Sequence, residues 1–142
     1  EFTPLSAHTK IKRLAQHAKT YGIPNSTIDG NDLFAVRQAA RKAVEQARAG
    51  KGPIFIECLT HRMRGHYEGD PAKYRELSQL AEWKKKDPLA RAAKVLKARK
   101  LIADKEIESI EGEARSLVEK AAEFALASPW PAAENVDSQV TA

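Results

Sequence analysis

Cysteine occurs once in this 142-residue sequence, at Cys58, so no intrachain disulfide can form. A chain without disulfide stapling suits a reducing compartment, and a cytoplasmic location is expected. Aromatic residues make up only 6% of the chain, which leaves few rings on which nucleic-acid bases could stack. No stretch approaches the roughly 20 apolar residues that a membrane helix needs, and the first residues lack the charged-then-apolar layout of a secretion signal. Phosphate-cradling glycine motifs of the GxGxxG and P-loop kinds are missing as well. What is present is 42% hydrophobic and 30% charged residues, enough apolar content for a core and a composition that leans towards helix. Lys and Arg number 24 against 19 Asp and Glu, but the two signs are interspersed, so the net charge of +5 does not by itself imply nucleic acid.

Periodicity organises the chain. Ile11, Leu14, Ala15 and Ala18 fall at helical spacing and predict an amphipathic helix over residues 7–21, with Gly22 ending it and Pro24 preventing its resumption. Ser26-Thr27-Ile28 reads as a short extended piece leading into Asp29-Gly30-Asn31-Asp32, a turn and helix start with Asn31 as the expected N-cap. A second helix is expected over residues 32–49, with Leu33, Val36, Ala40, Val44 and Ala47 on one side and Gly50 as its stop. Pro53 to Leu59 is the one strong strand signal. It is apolar on both faces, as a strand buried in a parallel sheet would be, and its preceding partner is not evident. Helices are expected over residues 74–86, 88–100 and 104–127. Asp87-Pro88 caps the second, and Ile107, Ile110, Ala114, Leu117, Ala121 and Phe124 form the inner stripe of the third. Ser128-Pro129-Trp130-Pro131 breaks that helix. Residues 132–142 form a polar tail, expected to be disordered or pinned only through Trp130.

Chemistry concentrates between Thr60 and Pro71, directly after the strand. Ligands of open α/β sheets sit outside the carboxyl ends of the strands, so a segment leaving Leu59 is well placed to meet one. Arg62, Arg64, His61 and His66 suit an anion such as a phosphate, Gly65 and Gly69 permit a tight path, and Asp70 can organise the arginines. The residues alone leave two readings open: an anion-binding or catalytic loop, or a solvated loop whose bases pair with Glu68 and Asp70. Cys58, His61 and His66 lack the fourth ligand that a structural zinc site wants, and Cys58 within an apolar strand reads as a small buried hydrophobe rather than a nucleophile. Lys84-Lys85-Lys86 with Arg91, Lys94, Lys97, Arg99 and Lys100 is the strongest basic run. Glu82 and Asp87 flank the triplet, so a solvated helical face is favoured over a nucleic-acid surface.

An ordered set of segments then becomes recognisable: Tyr21-Gly22-Ile23-Pro24, Asp29-Gly30-Asn31-Asp32, Gly52-Pro53-Ile54-Phe55-Ile56-Glu57, Arg62-Met63-Arg64-Gly65-His66-Tyr67-Glu68-Gly69-Asp70-Pro71, Tyr74-Arg75 and Trp83-Lys84-Lys85-Lys86-Asp87-Pro88. Together they resemble the C-terminal part of the α subunit of the thiamine-diphosphate-dependent dehydrogenase component of 2-oxo acid and acetoin dehydrogenase complexes. The resemblance spans residues 1–131. It implies an α/β fold, the C-terminal portion of a thiamine-diphosphate-binding fold, helix-rich with one buried parallel strand.

By the same resemblance, the activity is cleavage of a 2-oxo acid or acetoin followed by reductive acylation of the lipoyl group of a partner acyltransferase. His66 matches the loop histidine that approaches the cofactor and takes part in that transfer. Arg62, Asp70, Tyr74 and Arg75 match residues whose mutual hydrogen bonds order the loop. Tyr67 stands where eukaryotic relatives carry a regulatory serine. The implied cofactor is thiamine diphosphate with Mg²⁺, whose Gly-Asp-Gly and Asn ligands precede this segment. The chain alone is therefore expected to be an inactive fragment. The implied partners are the N-terminal half of the α subunit, a β subunit and the lipoyl-bearing acyltransferase, in a hetero-oligomer without nucleic acid or membrane. The loop resembles bacterial acetoin- or pyruvate-type members. The rival reading is a non-catalytic helical interaction module that keeps a remnant of the fold.

Overall fold

The computed structural model describes Thr3 and residues 5–135. Its elements run α1 (Leu5–His8), α2 (Gln16–Lys19), β1 (Asn25–Asp29), α3 (Leu33–Arg48), β2 (Phe55–Leu59), α4 (Leu77–Lys84), α5 (Pro88–Ala98) and α6 (Asp104–Ala127), then a single 3₁₀ turn (Ala133–Asn135). The last seven residues of the expected tail, 136–142, lie outside the described residues.

β1 and β2 pair in parallel, in a register that sets Asn25 against Phe55 and Asp29 against Leu59. With α3 as the crossover they form a βαβ unit. The strand missing from the sequence pattern is thus the piece around Ser26-Thr27-Ile28. Its signal is weak because Thr27, a polar residue, takes a sheet position opposite Glu57 and donates its hydroxyl to the Glu57 carboxylate at 2.8 Å.

That carboxylate also explains the expected first helix, which the structure breaks into α1 and α2. Glu57 accepts from the backbone N–H groups of Leu14 and Ala15 at 3.0 and 3.2 Å, and the Thr9 hydroxyl accepts from Ile11 N–H at 3.1 Å. Amides captured by side chains are withdrawn from a helical ladder. Glu57 stays charged because these hydrogen bonds together outweigh its desolvation and hold its pKa below the ordinary glutamate value.

A second correction concerns α3, which is capped by Asp32 rather than Asn31. Asp32 Oδ1 accepts from Phe34 and Ala35 N–H, both at 3.0 Å. Asn31 is instead the most buried polar residue described, at 2% exposure, with its side chain spent on tertiary contacts. Gly22 ends α2 at φ +65°, and Asp87 caps α5 through Leu89 and Ala90 N–H at 2.8 and 3.1 Å, both as expected.

β2 is parallel but not buried. Phe55 is 41% exposed and Cys58 is exposed, which corrects the reading of Cys58 as a buried hydrophobe. A sheet of two strands leaves an edge on each of them. The buried apolar residues among those described are three alanines, Ala15, Ala18 and Ala92. On one side of the sheet, Ile28, Ile54, Ile56, Ala35 and Ala39 line an apolar groove of about 370 Å³.

The chain divides into two units, residues 1–98 and 99–142. The second is built on α6, whose Glu106 carboxylate accepts from Ala103 N–H at 2.9 Å at the helix start. The stripe expected to face inward lies open: Ile110, Leu117 and Phe124 are 57%, 70% and 77% exposed. Trp130, the expected pin of the tail, is 94% exposed. No helix among the described residues is long and apolar enough to cross a membrane.

Candidate functional site

The segment from Thr60 to Lys73 leaves the C-terminal end of β2 without regular structure. Its base is fixed by Asn31. The Thr60 hydroxyl donates to Asn31 Oδ1 at 2.6 Å, Asn31 Nδ2 donates to the Lys86 carbonyl at 2.9 Å, and Asn31 N–H donates to Asp29 Oδ1 at 2.9 Å. One buried residue, through its side chain and its backbone N–H, therefore ties together the ends of β1, β2 and α4. Gly30 makes that approach possible, because its N–H donates to the Leu59 carbonyl at 2.7 Å and a Cβ there would meet the same oxygen at 2.9 Å. Arg91 of α5 closes the base from the other side, at 2.8 Å from Asp29 and 3.4 Å from Asp32. Its hydrogen bond, followed by that from Asn31 N–H, holds the Asp29 carboxyl below the usual aspartate range.

Farther out, the loop is organised around Asp70. Oδ2 accepts from the Tyr74 hydroxyl at 2.6 Å and from His66 N–H at 2.7 Å, and Oδ1 accepts from Ala72 N–H at 2.8 Å. These three bonds, with a smaller contribution from Arg62, lower the Asp70 carboxyl from 3.8 to about 2. The group stays ionised to unusually low pH. Because the folded value is depressed, its contribution to loop order is complete above the ordinary value and is lost as the pH falls through the folded one. The Asp70 carboxyl carbon, followed by NMR, is expected to titrate near pH 2, and a midpoint near 3.8 would show that the cage does not form.

Arg75 supplies the second tie. Its Nη1 donates to the carbonyls of Arg62 and Arg64 at 2.6 and 2.8 Å, so one guanidinium gathers the outgoing strand of the loop against the returning one. Arg62 reaches the Tyr74 hydroxyl at 3.5 Å and approaches His66 Nδ1 at 3.4 Å. The latter contact suits an imidazole whose Nδ1 keeps its lone pair and whose Nε2 carries the proton. All five residues singled out from the sequence, Arg62, His66, Asp70, Tyr74 and Arg75, are thus brought into one hydrogen-bonded group. Arg64 and Glu68, 86% and 91% exposed, make only a rim pair at 3.4 Å.

Gly65 passes so close to Asp70 that an added Cβ would lie 2.5 Å from the Asp70 Cβ and 2.7 Å from Oδ2. Gly65→Ala should push Asp70 out of its cage. Amides of residues 62–75 are then expected to exchange with solvent roughly tenfold faster or more, with little change in the βαβ unit, as read by hydrogen–deuterium exchange. Unchanged exchange in this variant would mean that Asp70 does not hold the loop.

Three features of the site have no clear mark in the sequence. Asn31 reads as a cap, Glu57 as part of an apolar run, and His61 as one more base of the loop. The available signal for Asn31 is its place directly after Asp29-Gly30, where β1 ends at the sheet's carboxyl edge. His61 stacks on Trp83, with ring centroids 5.5 Å apart and planes 9° apart. In the lysine triplet, Lys85 pairs with Glu82 at 2.5 Å and Lys86 lies 5.1 Å over the Trp83 ring. All three lysines are exposed, but α4 ends at Lys84, so Lys85 and Lys86 lie beyond the expected helical face.

The donor set of the loop, a guanidinium and an imidazole on a backbone drawn together by Asp70, fits the oxygens of a diphosphate. Among the described residues there is no group of three or more His, Cys, Asp or Glu side chains able to hold a metal ion.

The family model described as "Dehydrogenase E1 component" matches residues 2–134. A pyruvate dehydrogenase E1 component subunit alpha from Staphylococcus epidermidis is 47% identical over 112 residues, 77% of this chain and 30% of that protein. The chloroplastic pyruvate dehydrogenase E1 component subunit alpha-3 of Arabidopsis thaliana is 43% identical over 111 residues, covering 78% of this chain and 26% of its own length. The alpha subunit of an acetoin:2,6-dichlorophenolindophenol oxidoreductase from Bacillus subtilis is 36% identical over 131 residues, 92% of this chain and 39% of that protein. The chain therefore spans well under half the length of each of these relatives.

Proposed function

The chain belongs to the dehydrogenase E1 component family, and from that premise we propose that residues 1–131 form the C-terminal part of the α subunit of a thiamine-diphosphate-dependent 2-oxo acid or acetoin dehydrogenase. The observation that carries this reading is the loop: a cationic, imidazole-bearing crossing at the carboxyl end of a parallel strand, drawn together by Asp70 and Arg75. A core of three buried alanines among the described residues supports it from another direction, since the groove beside β1 and β2 is the kind of surface a larger fold would cover.

When bound, thiamine diphosphate supplies the electron sink for cleaving the carbon–carbon bond beside the substrate carbonyl. The chain's own part is binding and orientation. Arg62 and His66 would donate to diphosphate oxygens, and the His66 imidazole would exchange a proton during acyl transfer to the lipoyl group. Asp70 fixes the His66 backbone, Tyr74 orients Asp70, and Arg75 keeps the two strands of the loop together. The Mg²⁺ ligands belong to the N-terminal part of the α subunit. That part, a β subunit and a lipoyl-bearing acyltransferase are the partners. Tyr67, 59% exposed in the loop, leaves no serine hydroxyl after His66 for a phosphorylation switch.

The rival, a non-catalytic interaction module, draws on the open stripe of α6. One assay separates the two. With the N-terminal part, the β subunit, thiamine diphosphate and Mg²⁺ supplied, the assembly is expected to acylate a free lipoyl domain when given a 2-oxo acid such as pyruvate, or acetoin. Absence of acylation with both substrates, from a well-formed assembly, would favour the module.

A further inference from the structure

His61 sits where β2 passes into the loop, and its anchorage differs from that of its neighbours. Thr60 is held by Asn31, and the carbonyls of Arg62 and Arg64 are held by Arg75. His61 is held by its ring, stacked 5.5 Å from Trp83 at 9°, while its Nε2 is buried and finds no hydrogen-bond partner. Stacking of this kind is worth more than the area it covers, and it spans two elements here, the loop base and α4.

The charges around the ring bear on its protonation. Arg62 on its own segment and Arg75 from the returning strand both act on it, and both are cations. On the α4 side, the Lys86 ammonium lies over the Trp83 ring. Arg13 and Asp29 line the same recess as Trp83 and Lys86, and the Asp29 carboxylate is committed to Arg91 and Asn31. A proton on His61 would add a cation to this group and leave a buried N–H without an acceptor, which is costly. Burial first, then Arg75 and Arg62, accordingly hold the His61 pKa below its ordinary value of 6.5.

We propose that His61 is a positioning residue for the loop: as an uncharged ring on Trp83 it seats the loop's first residues, and taking up a proton unseats them. The role deepens the reading of this loop as the active-site segment and rests on it. Because the folded form favours the neutral ring, the seat is complete above pH 6.5 and weakens as the pH falls through the lowered value.

The test uses the assembled enzyme, with exchange of the 60–75 amides corrected for intrinsic rates and the pH profile of lipoyl acylation measured beside it. His61→Phe keeps a stacking ring that cannot be charged, and it is expected to retain wild-type protection while losing the loosening between neutral and mildly acid pH. His61→Lys carries a charge throughout and is expected to exchange about tenfold faster at neutral pH, since even one hydrogen bond's worth of stability corresponds to that factor. A Phe variant that loosens on acidification as the wild type does would overturn the proposal, assigning the loosening to a group other than His61. So would a Lys variant as protected as wild type. If exchange behaves as expected but the wild-type assembly never acylates a lipoyl domain, the positioning role stands and the functional reading of the loop falls.

Discussion

Replacing His66 with alanine is expected to slow acyl transfer to the lipoyl group by about 10²- to 10⁴-fold in the assembled enzyme, the range associated with loss of a positioned acid–base group. The fold should not register the change. The His66 side chain is exposed, its ring meets Arg62 at a long 3.4 Å, and the shorter contact that fixes this residue in the loop, at 2.7 Å, runs from its backbone N–H to Asp70. Melting temperature and loop protection are therefore expected to match the wild type while single-turnover acylation collapses. The same assay on Asp70→Asn should lose rate together with loop protection, because that substitution weakens the cage rather than the chemistry. Unaltered acylation by the His66→Ala enzyme would remove His66 from the reaction.

Substitution of Asn31 carries the largest expected effect on stability. The side chain is 2% exposed and serves as acceptor for Thr60 and donor to the Lys86 carbonyl. Truncation in Asn31→Ala removes both hydrogen bonds, and because water can reach the exposed Thr60 and Lys86 each costs about 0.5–1.5 kcal/mol, for a total of about 1–3 kcal/mol. Against the 5–15 kcal/mol that roughly spans ordinary domain stability, this is a large fraction. Asn31→Asp keeps the acceptor but sets a buried carboxylate against the Lys86 carbonyl and beside Asp29 and Asp32, so its loss should be at least as large. Urea unfolding of the three proteins measures the order, and equal midpoints would show that the network contributes nothing.

The parts of this molecule legible in its sequence are those where a strong local period or a capping residue decides the outcome. α3, α5 and α6 appear close to their expected bounds, because apolar spacing, Asp87-Pro88 and the Ser128-Pro129 break act within a turn or two of the chain. The first helix departs from its expected form for a reason remote in sequence: the carboxylate of Glu57, more than forty residues away, takes the amides of Leu14 and Ala15. β1 has a faint signature because its stabilisation is the pairing with β2 and the Thr27–Glu57 bond, neither of which leaves an apolar pattern. Asn31 follows the same logic. Its residue type favours a cap, and tertiary partners claim the side chain instead.

At the candidate site, the clustering of Arg62, His66, Asp70, Tyr74 and Arg75 is expected only through resemblance. Composition alone leaves a solvated loop equally open, since arginines beside acids are also what a rim looks like. Arg64 and Glu68 are such a rim pair. What distinguishes the inner residues is that Asp70 and Arg75 bond backbone groups on the opposite side of the loop, a relation that spacing does not reveal. The stack of His61 on Trp83 joins residues twenty-two apart and has no local signature at all.

The most direct trial of this account is hydrogen–deuterium exchange across residues 62–75 in the assembled enzyme, with and without thiamine diphosphate and Mg²⁺. If Arg62 and His66 meet the diphosphate, those amides should slow markedly when the cofactor is added, while α6 does not change. Exchange in this segment that is indifferent to saturating cofactor would contradict the claim that the loop faces it.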